Sequence, residues 1–218
     1  LLGQRREVEA AHALRTCLRW EPQHGKARTT LQGLHCKVPT SKVSGLRIGF
    51  VSLWFERGQA YVTRMLRDAL TQEHETFVLA RSGGTAQQPL LATTGEWAVP
   101  NLTTWPEYAI PRAVVAHWVS QNRLHVVVFN EEYDLGLVQT AREAGAKTVG
   151  CYYWELFNPA LVAQCNALYD RIICPTEACY ERFQDLGLNN LVRIRWGIDS
   201  EAFKPKERQR TKRVRFFH

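Results

Sequence analysis

The stretch Arg171–Pro205 constrains the fold most, because it reads as a strand, a helix and a second strand in close succession. The apolar run Ile172–Cys174 predicts a short buried strand, which Pro175 ends. Thr176 is typical of a helix N-cap, since its hydroxyl can accept a hydrogen bond from the first helical turn. Gly187 can supply the left-handed backbone that ends this helix. A strand–helix–strand unit of this kind favours a parallel sheet covered by helices.

The same alternation runs upstream to Leu46. The run His125–Asn130, HVVVFN, is typical of a strand buried on both faces of a parallel sheet. Further strands are predicted at Leu46–Leu53, Thr76–Ala80 and Lys147–Tyr153, with a short one at Glu96–Pro100. The pattern therefore predicts an α/β fold, a doubly wound parallel sheet of Rossmann-like type preceded by an N-terminal helical hairpin.

Two segments between these strands carry weaker predictions. The helix after the first strand has an apolar stripe that we expect to face the core. Its members are Val62, Met65, Leu66, Ala69 and Leu70. Thr103–Tyr108 is expected to be a loop over a ligand cleft, where an exposed aromatic ring would suit stacking on a sugar.

Composition limits the class of protein. The chain has 218 residues, of which 45% are hydrophobic and 22% charged, as in ordinary globular domains. No apolar run approaches the ~20 residues of a membrane helix, and no signal segment opens the chain, so we expect a cytoplasmic protein. The six cysteines show no metal-binding spacing and are interpreted as buried free thiols.

The chain is expected to have four parts. Segment 1–34 is helical in pattern and resembles the second helix of a tetratricopeptide repeat, which would bind a protein partner; a plain helical hairpin is the alternative. Segment 35–45 is a linker, and 46–203 is the Rossmann-like domain. Segment 204–218 holds much of the +7 net charge and reads as a basic linker leading into a further domain. It could make weak contact with an anionic membrane, whereas nucleic-acid binding is not supported.

Candidate site residues follow the predicted strands, because ligands bind beyond the carboxyl ends of such sheets. A dinucleotide fingerprint is absent from the first turn, where Gly58 is the only glycine, although the helix that follows could hold an anion there. Carboxylates beside aromatic rings suit sugar hydroxyls and sugar C–H faces. The catalytic candidates are Glu132 and Glu155. The candidates for substrate binding are Arg57, Gly58, Gln59, Glu131, Tyr133 and Trp154. No metal ligand set and no cofactor is expected.

Three motifs in the final stretch resemble a known family. Pro175-Thr176-Glu177, Gly197-Ile198-Asp199 and Phe203-Lys204-Pro205 are similar in order and spacing to those of retaining glycosyltransferases of the GT-B type, which have two facing Rossmann-like domains. Two positions depart from the pattern: Trp196 replaces an asparagine, and no histidine follows the strand Lys147–Tyr153.

The resemblance covers residues 46–218 and implies transfer of a sugar from a nucleotide-sugar donor to a sugar, lipid or protein acceptor. This segment would form the acceptor-side half of the cleft and would be inactive without a C-terminal donor domain. Neither a metal nor another cofactor is implied. Two alternatives stay open: a non-catalytic binding or scaffold module, and a nucleotide-sugar epimerase.

Overall fold

The computed structural model describes residues 25–26, 30 and 45–197. The chain divides into two units, Leu1–Ser44 and Gly45–His218, and the sheet belongs to the second. The basic linker predicted at 204–218 lies outside the described residues, as does almost all of the tetratricopeptide-like segment predicted at 1–34.

Seven strands and five α-helices alternate along the described part of the second unit. The strands are β1 (Arg47–Leu53), β2 (Glu75–Arg81), β3 (Leu102–Trp105), β4 (Val126–Asn130), β5 (Lys147–Cys151), β6 (Arg171–Cys174) and β7 (Leu191–Arg193). The helices are α1 (Gly58–Thr71), α2 (Arg112–Gln121), α3 (Leu135–Glu143), α4 (Val162–Leu168) and α5 (Glu177–Asp185), with 3₁₀ turns at Gly95–Trp97 and Pro159–Leu161.

All strand pairs are parallel, in the order β3-β2-β1-β4-β5-β6-β7. Because side chains alternate along a strand, Ile48 and Phe50 of β1 face one side of the sheet, where they pack with residues of α1. Val51, on the other side, belongs to the larger core that Trp118 of α2 and Val138 of α3 complete. The doubly wound α/β fold predicted from the sequence is therefore confirmed.

Local signals in the sequence set several helix boundaries. The Asp134 carboxylate accepts from Gly136 N at the start of α3, and the Thr176 hydroxyl accepts from Cys179 N at the start of α5. Gly187 follows α5 with φ of 92°, the left-handed conformation that glycine adopts without strain.

Two predictions about the first half of the sheet are wrong. Leu102–Trp105 is an edge strand paired with β2, so only the rest of Thr103–Tyr108 forms a loop. Glu96–Pro100 is not a strand and contains part of a 3₁₀ turn instead. Contacts with distant residues hold both segments: Leu102–Trp105 pairs with β2, and the Trp97 carbonyl accepts from Trp54 Nε1 at 3.0 Å.

The apolar stripe predicted for α1 is also partly wrong. Met65 and Ala69 are exposed, whereas Thr63 and Arg67 are buried. The helix is rotated because the Thr63 hydroxyl donates to Ser52 Oγ of β1 at 2.9 Å, which draws a polar position toward the sheet.

Two compositional predictions can be compared with the described residues. Cys151, Cys165, Cys174 and Cys179 are buried and free, as predicted. No helix among the described residues is both long enough and apolar enough to cross a membrane.

Candidate active site

The strand order reverses between β1 and β4, so the connections that leave these neighbouring strands diverge to opposite faces of the sheet. In open α/β sheets the resulting crevice at the carboxyl ends is the usual ligand site. The segments that border it are Trp54–Arg57 after β1 and Glu131–Tyr133 after β4, both containing predicted site residues.

A buried amide pair joins the two sides of the crevice. Gln59 Nε2 donates to the Asn130 carbonyl at 2.6 Å, and Asn130 Nδ2 donates back to the Gln59 carbonyl at 2.9 Å. Asn130 Nδ2 also donates to the Thr63 hydroxyl at 2.9 Å. These bonds fix the first turn of α1 against the end of β4. The Gln59 side chain, predicted to bind acceptor, is therefore engaged within the protein.

Glu131 has an unusual backbone conformation at the end of β4. Its φ is 52°, in the left-handed region that non-glycine residues rarely adopt, and its backbone N–H donates to the Cys151 carbonyl at 2.9 Å. The side chain is half-buried. Desolvation raises the pKa of Glu131, the Arg57 guanidinium lowers it in part, and the Glu155 carboxylate raises it further. Glu131 thus lies within electrostatic reach of two other predicted site residues.

Glu132, the next residue, is in a different environment. It is buried against Arg81 at the end of β2, with Arg81 Nη2 2.9 Å from Glu132 Oε2 and each side chain 2% exposed. The other carboxylate oxygen accepts from Asp134 N at 2.9 Å. Desolvation raises the pKa of Glu132, and Arg81 opposes that shift. The Glu132 carboxylate therefore connects β2 to the start of α3 inside the protein.

Arg57 and Gly58 form the start of α1. Arg57 is the N-cap residue with an extended backbone and no side-chain capping bond. Both residues are exposed. A Cβ added at Gly58 would meet no atom within 4 Å, so packing does not demand a glycine there. The open helix start and the nearby guanidinium give this side of the crevice a positive potential.

Tyr133 lines a groove of about 470 Å³ together with Asp134, Gln139 and Gln164 of α4. Desolvation raises the pKa of Tyr133 to about 12, with a further contribution from Glu131.

The loop after β5 carries the last two predicted residues, Trp154 and Glu155. Trp154 is 47% exposed, and Glu155 is exposed as well. Before them Tyr153 packs edge-on against Trp196, with ring centroids 5.6 Å apart. The sequence argument did not single out this contact, although Trp196 departs from the family motif.

The carboxyl ends of the strands also hold a buried polar atom without a hydrogen-bond partner among the described residues, the hydroxyl of Tyr133. Native structures leave few such atoms unsatisfied. Arg81 and Asn130 hold the ends of β2 and β4 in place and were not among the predicted site residues. The available signal was a polar residue ending an otherwise apolar strand.

Taken together, the described residues define a Rossmann-like α/β domain whose β1–β4 switch point is bordered by Arg57 and Glu131. Glu155, in the loop after β5, is within electrostatic reach of Glu131. No group of three or more His, Cys, Asp or Glu side chains in residues 45–197 could hold a metal ion.

Comparison with solved structures finds several that are similar to this chain at low sequence identity. Similar solved structures include a Thermobaculum terrenum O-GlcNAc transferase mutant, at 16% identity and TM-score 0.47 over 88% of this chain and 42% of that one. A UDP-N-acetylglucosamine 2-epimerase from Rickettsia bellii is similar at 10% identity and TM-score 0.45, over 68% of this chain and 44% of that one. A trehalose-6-phosphate synthase is similar at 14% identity and TM-score 0.41, over 64% of this chain and 42% of that one.

The chain thus spans 42–44% of the length of these structures. No protein-family model matches the sequence, and no curated protein matches it either. Because the identities are low and the TM-scores are below 0.5, the fold rests on the strand order described above.

Proposed function

We propose that this chain forms the acceptor-side half of a glycosyltransferase that uses a nucleotide-sugar donor. The observation that carries the proposal is Glu131, a half-buried carboxylate with left-handed backbone at the switch point of the sheet. The three glycosyltransferase-like motifs between Pro175 and Pro205 support the same reading. The donor would be bound largely by a second domain.

The chemistry assigns distinct roles to the two adjacent glutamates. A carboxylate with a raised pKa is a better proton acceptor, so Glu131 would accept a hydrogen bond from the attacking hydroxyl of the acceptor. Glu155 would bind a second hydroxyl. Glu132 acts as a positioning residue, because its carboxylate is occupied by Arg81 and by Asp134 N.

Arg57 and the start of α1 would stabilise negative charge as the nucleoside diphosphate departs. Exposed backbone N–H groups at a helix start bind anions, and a guanidinium strengthens that binding. The remaining contribution is positioning of the two sugars, in a mechanism that is mainly electrostatic. The retaining outcome is part of the proposal by resemblance alone.

The test uses this chain joined to the donor-binding domain that the proposal requires, with a panel of UDP-, GDP-, ADP- and dTDP-sugars, with and without a mixture of sugar acceptors. The readouts are nucleoside diphosphate release and product mass. We expect Glu131→Gln to lower kcat/KM by roughly 100-fold or more. Glu143→Gln, at the far end of α3, is the matched control and should leave the rate unchanged.

Two results would contradict the proposal. Turnover of a nucleotide sugar without any acceptor, to a product of equal mass, would indicate an epimerase. Equal activity of the Glu131→Gln variant and the wild type would show that Glu131 does not take part in the reaction.

A further inference from the structure

The exposed apolar side chains of the described residues are concentrated at one end of the sheet. Four of the large ones lie just beyond β5 and β7, and the most exposed aromatic ring among them is Trp196, at 55%. The four are Trp154, Leu156, Ile194 and Trp196. By contrast, Trp54, Trp97 and Trp118 are buried in the core.

Trp196 is held in place although it is exposed. Ile194 N donates to the Cys174 carbonyl at 3.2 Å, which keeps the chain beside β6 after β7 has ended. The indole then packs against the Tyr153 ring at an interplanar angle of 63°. Because the indole is already held at one edge, its flat face loses little side-chain conformational entropy when a ligand binds to it.

Tyr153 connects this ring to the candidate active site. Burial raises the pKa of Tyr153 strongly, and Cys151 and then Glu131 contribute to the increase. Glu131 in turn interacts with Glu155. In the structure, Glu131 N donates to the Cys151 carbonyl at 2.9 Å, Tyr153 follows Cys151 by two residues, and the Tyr153 ring packs against Trp196. Glu131, Tyr153 and Trp196 therefore lie near one another across the ends of β4, β5 and β7.

We propose that Trp196, supported by Tyr153, forms a subsite for a neutral sugar ring of the acceptor. The proposal rests on the proposed function and narrows its acceptor from sugar, lipid or protein to a carbohydrate. A sugar ring has an apolar C–H face that covers an indole and hydroxyls that donate to carboxylates. A lipid chain would leave Glu131 and Glu155 desolvated and unpaired, which is unfavourable.

The experiment uses the full chain and three neutral disaccharides, maltose, cellobiose and lactose, measured by saturation-transfer NMR and tryptophan fluorescence. We expect at least one to bind through its C–H protons. Trp196→Leu, which keeps apolar area but removes the aromatic face, should weaken binding roughly fivefold. Trp196→Phe should retain most of the affinity, and Leu156→Ala is the control for nonspecific apolar contact.

The outcomes separate the subsite from the proposed function. Absence of disaccharide binding, or equal binding by Trp196→Leu, overturns the subsite, as does an equal loss in Leu156→Ala. If the subsite is overturned but the chain joined to its donor-binding domain consumes nucleotide sugars, the proposed function stands without the subsite. If disaccharides bind through Trp196 but that two-domain protein neither binds nor consumes a nucleotide sugar, the subsite stands and the chain is a carbohydrate-binding module.

Discussion

The buried pair of Arg81 and Glu132 allows a sharp test of how the carboxyl edge is held together. Both side chains are 2% exposed, and the Arg81 guanidinium also stacks on the Tyr108 ring at 4.5 Å. Arg81→Met retains much of the apolar volume but removes the positive charge. Glu132 is then left buried without the group that opposes its desolvation.

The expected cost follows from the burial. Removing one partner of a buried ion pair typically costs about 3–5 kcal/mol, because the other charge stays desolvated. In a chain of this size that corresponds to a decrease in Tm of roughly 6–20 °C at pH 7. Arg193→Met is the matched control, since Arg193 pairs with Glu177 at the surface, where the side chains are 36% and 49% exposed. It should cost less than about 1 kcal/mol.

The cost should depend on pH in a defined direction. Desolvation already raises the pKa of Glu132, and loss of Arg81 raises it further. An acid whose pKa is higher in the folded than in the unfolded state favours folding below the unfolded pKa, and this contribution is lost as pH rises through the folded pKa. The stability of the Arg81→Met variant should therefore approach that of the wild type near pH 4–5 and fall furthest below it above neutral pH.

Urea unfolding from pH 4.5 to 8, followed by tryptophan fluorescence, measures this directly. A second variant, Arg81→Met with Glu132→Leu, should recover at least half of the loss at pH 7, because no buried charge remains. The reasoning is refuted if Arg81→Met costs less than about 1 kcal/mol at pH 7, or if its cost is the same at every pH.

Two further predictions concern stability elsewhere in the sheet. Gly49→Ala should lower the free energy of unfolding by roughly 1–3 kcal/mol in the same urea assay, since the added Cβ would lie 2.5 Å from the Trp118 ring. The control is Gly58→Ala, where the added Cβ meets open space and should not destabilise the protein. Equal losses of stability in the two variants would contradict the packing argument. For Asp170, burial acts to raise the pKa, but hydrogen bonds from the Thr148 backbone and Lys147 and the charge of Arg142 lower it overall. The stabilising contribution of Asp170 is present above its unfolded pKa and is lost as pH falls through its folded pKa. Asp170→Asn should therefore reduce the fall of Tm with decreasing pH below about pH 4. The same fall of Tm in the variant and the wild type would contradict this prediction.

Much of the fold could be predicted because its determinants are local. The apolar run before Asn130 and the cap at Thr176 depend on residues a few positions apart, and each is found as predicted. The inner face of α1 could not be predicted in the same way. Its orientation depends on Thr63 meeting Ser52 and Asn130, and Asn130 lies 67 residues away in sequence.

The candidate site shows even more clearly that contacts between residues distant in sequence cannot be predicted from local patterns. Side chains alternate along an extended chain, so adjacent residues such as Glu131 and Glu132 point apart, but this alternation does not indicate which of them faces the crevice. Two non-local facts decide it: Arg81 lies 51 positions before Glu132 and pairs with it, and the backbone at Glu131 turns left-handed. Neither leaves a signal in the residues around the pair.

The two glutamates also differ in how their environments affect folding. Glu132 has a charge partner and a backbone donor, whereas Glu131 combines two unfavourable features. A left-handed φ costs a non-glycine residue about 1–2 kcal/mol, and a raised pKa means that the ionised carboxylate opposes folding at neutral pH. Backbone strain and a carboxylate with a raised pKa at one position are typical of functional sites. For that reason the proposed ligand contact is given to Glu131 and the proposed structural support to Glu132.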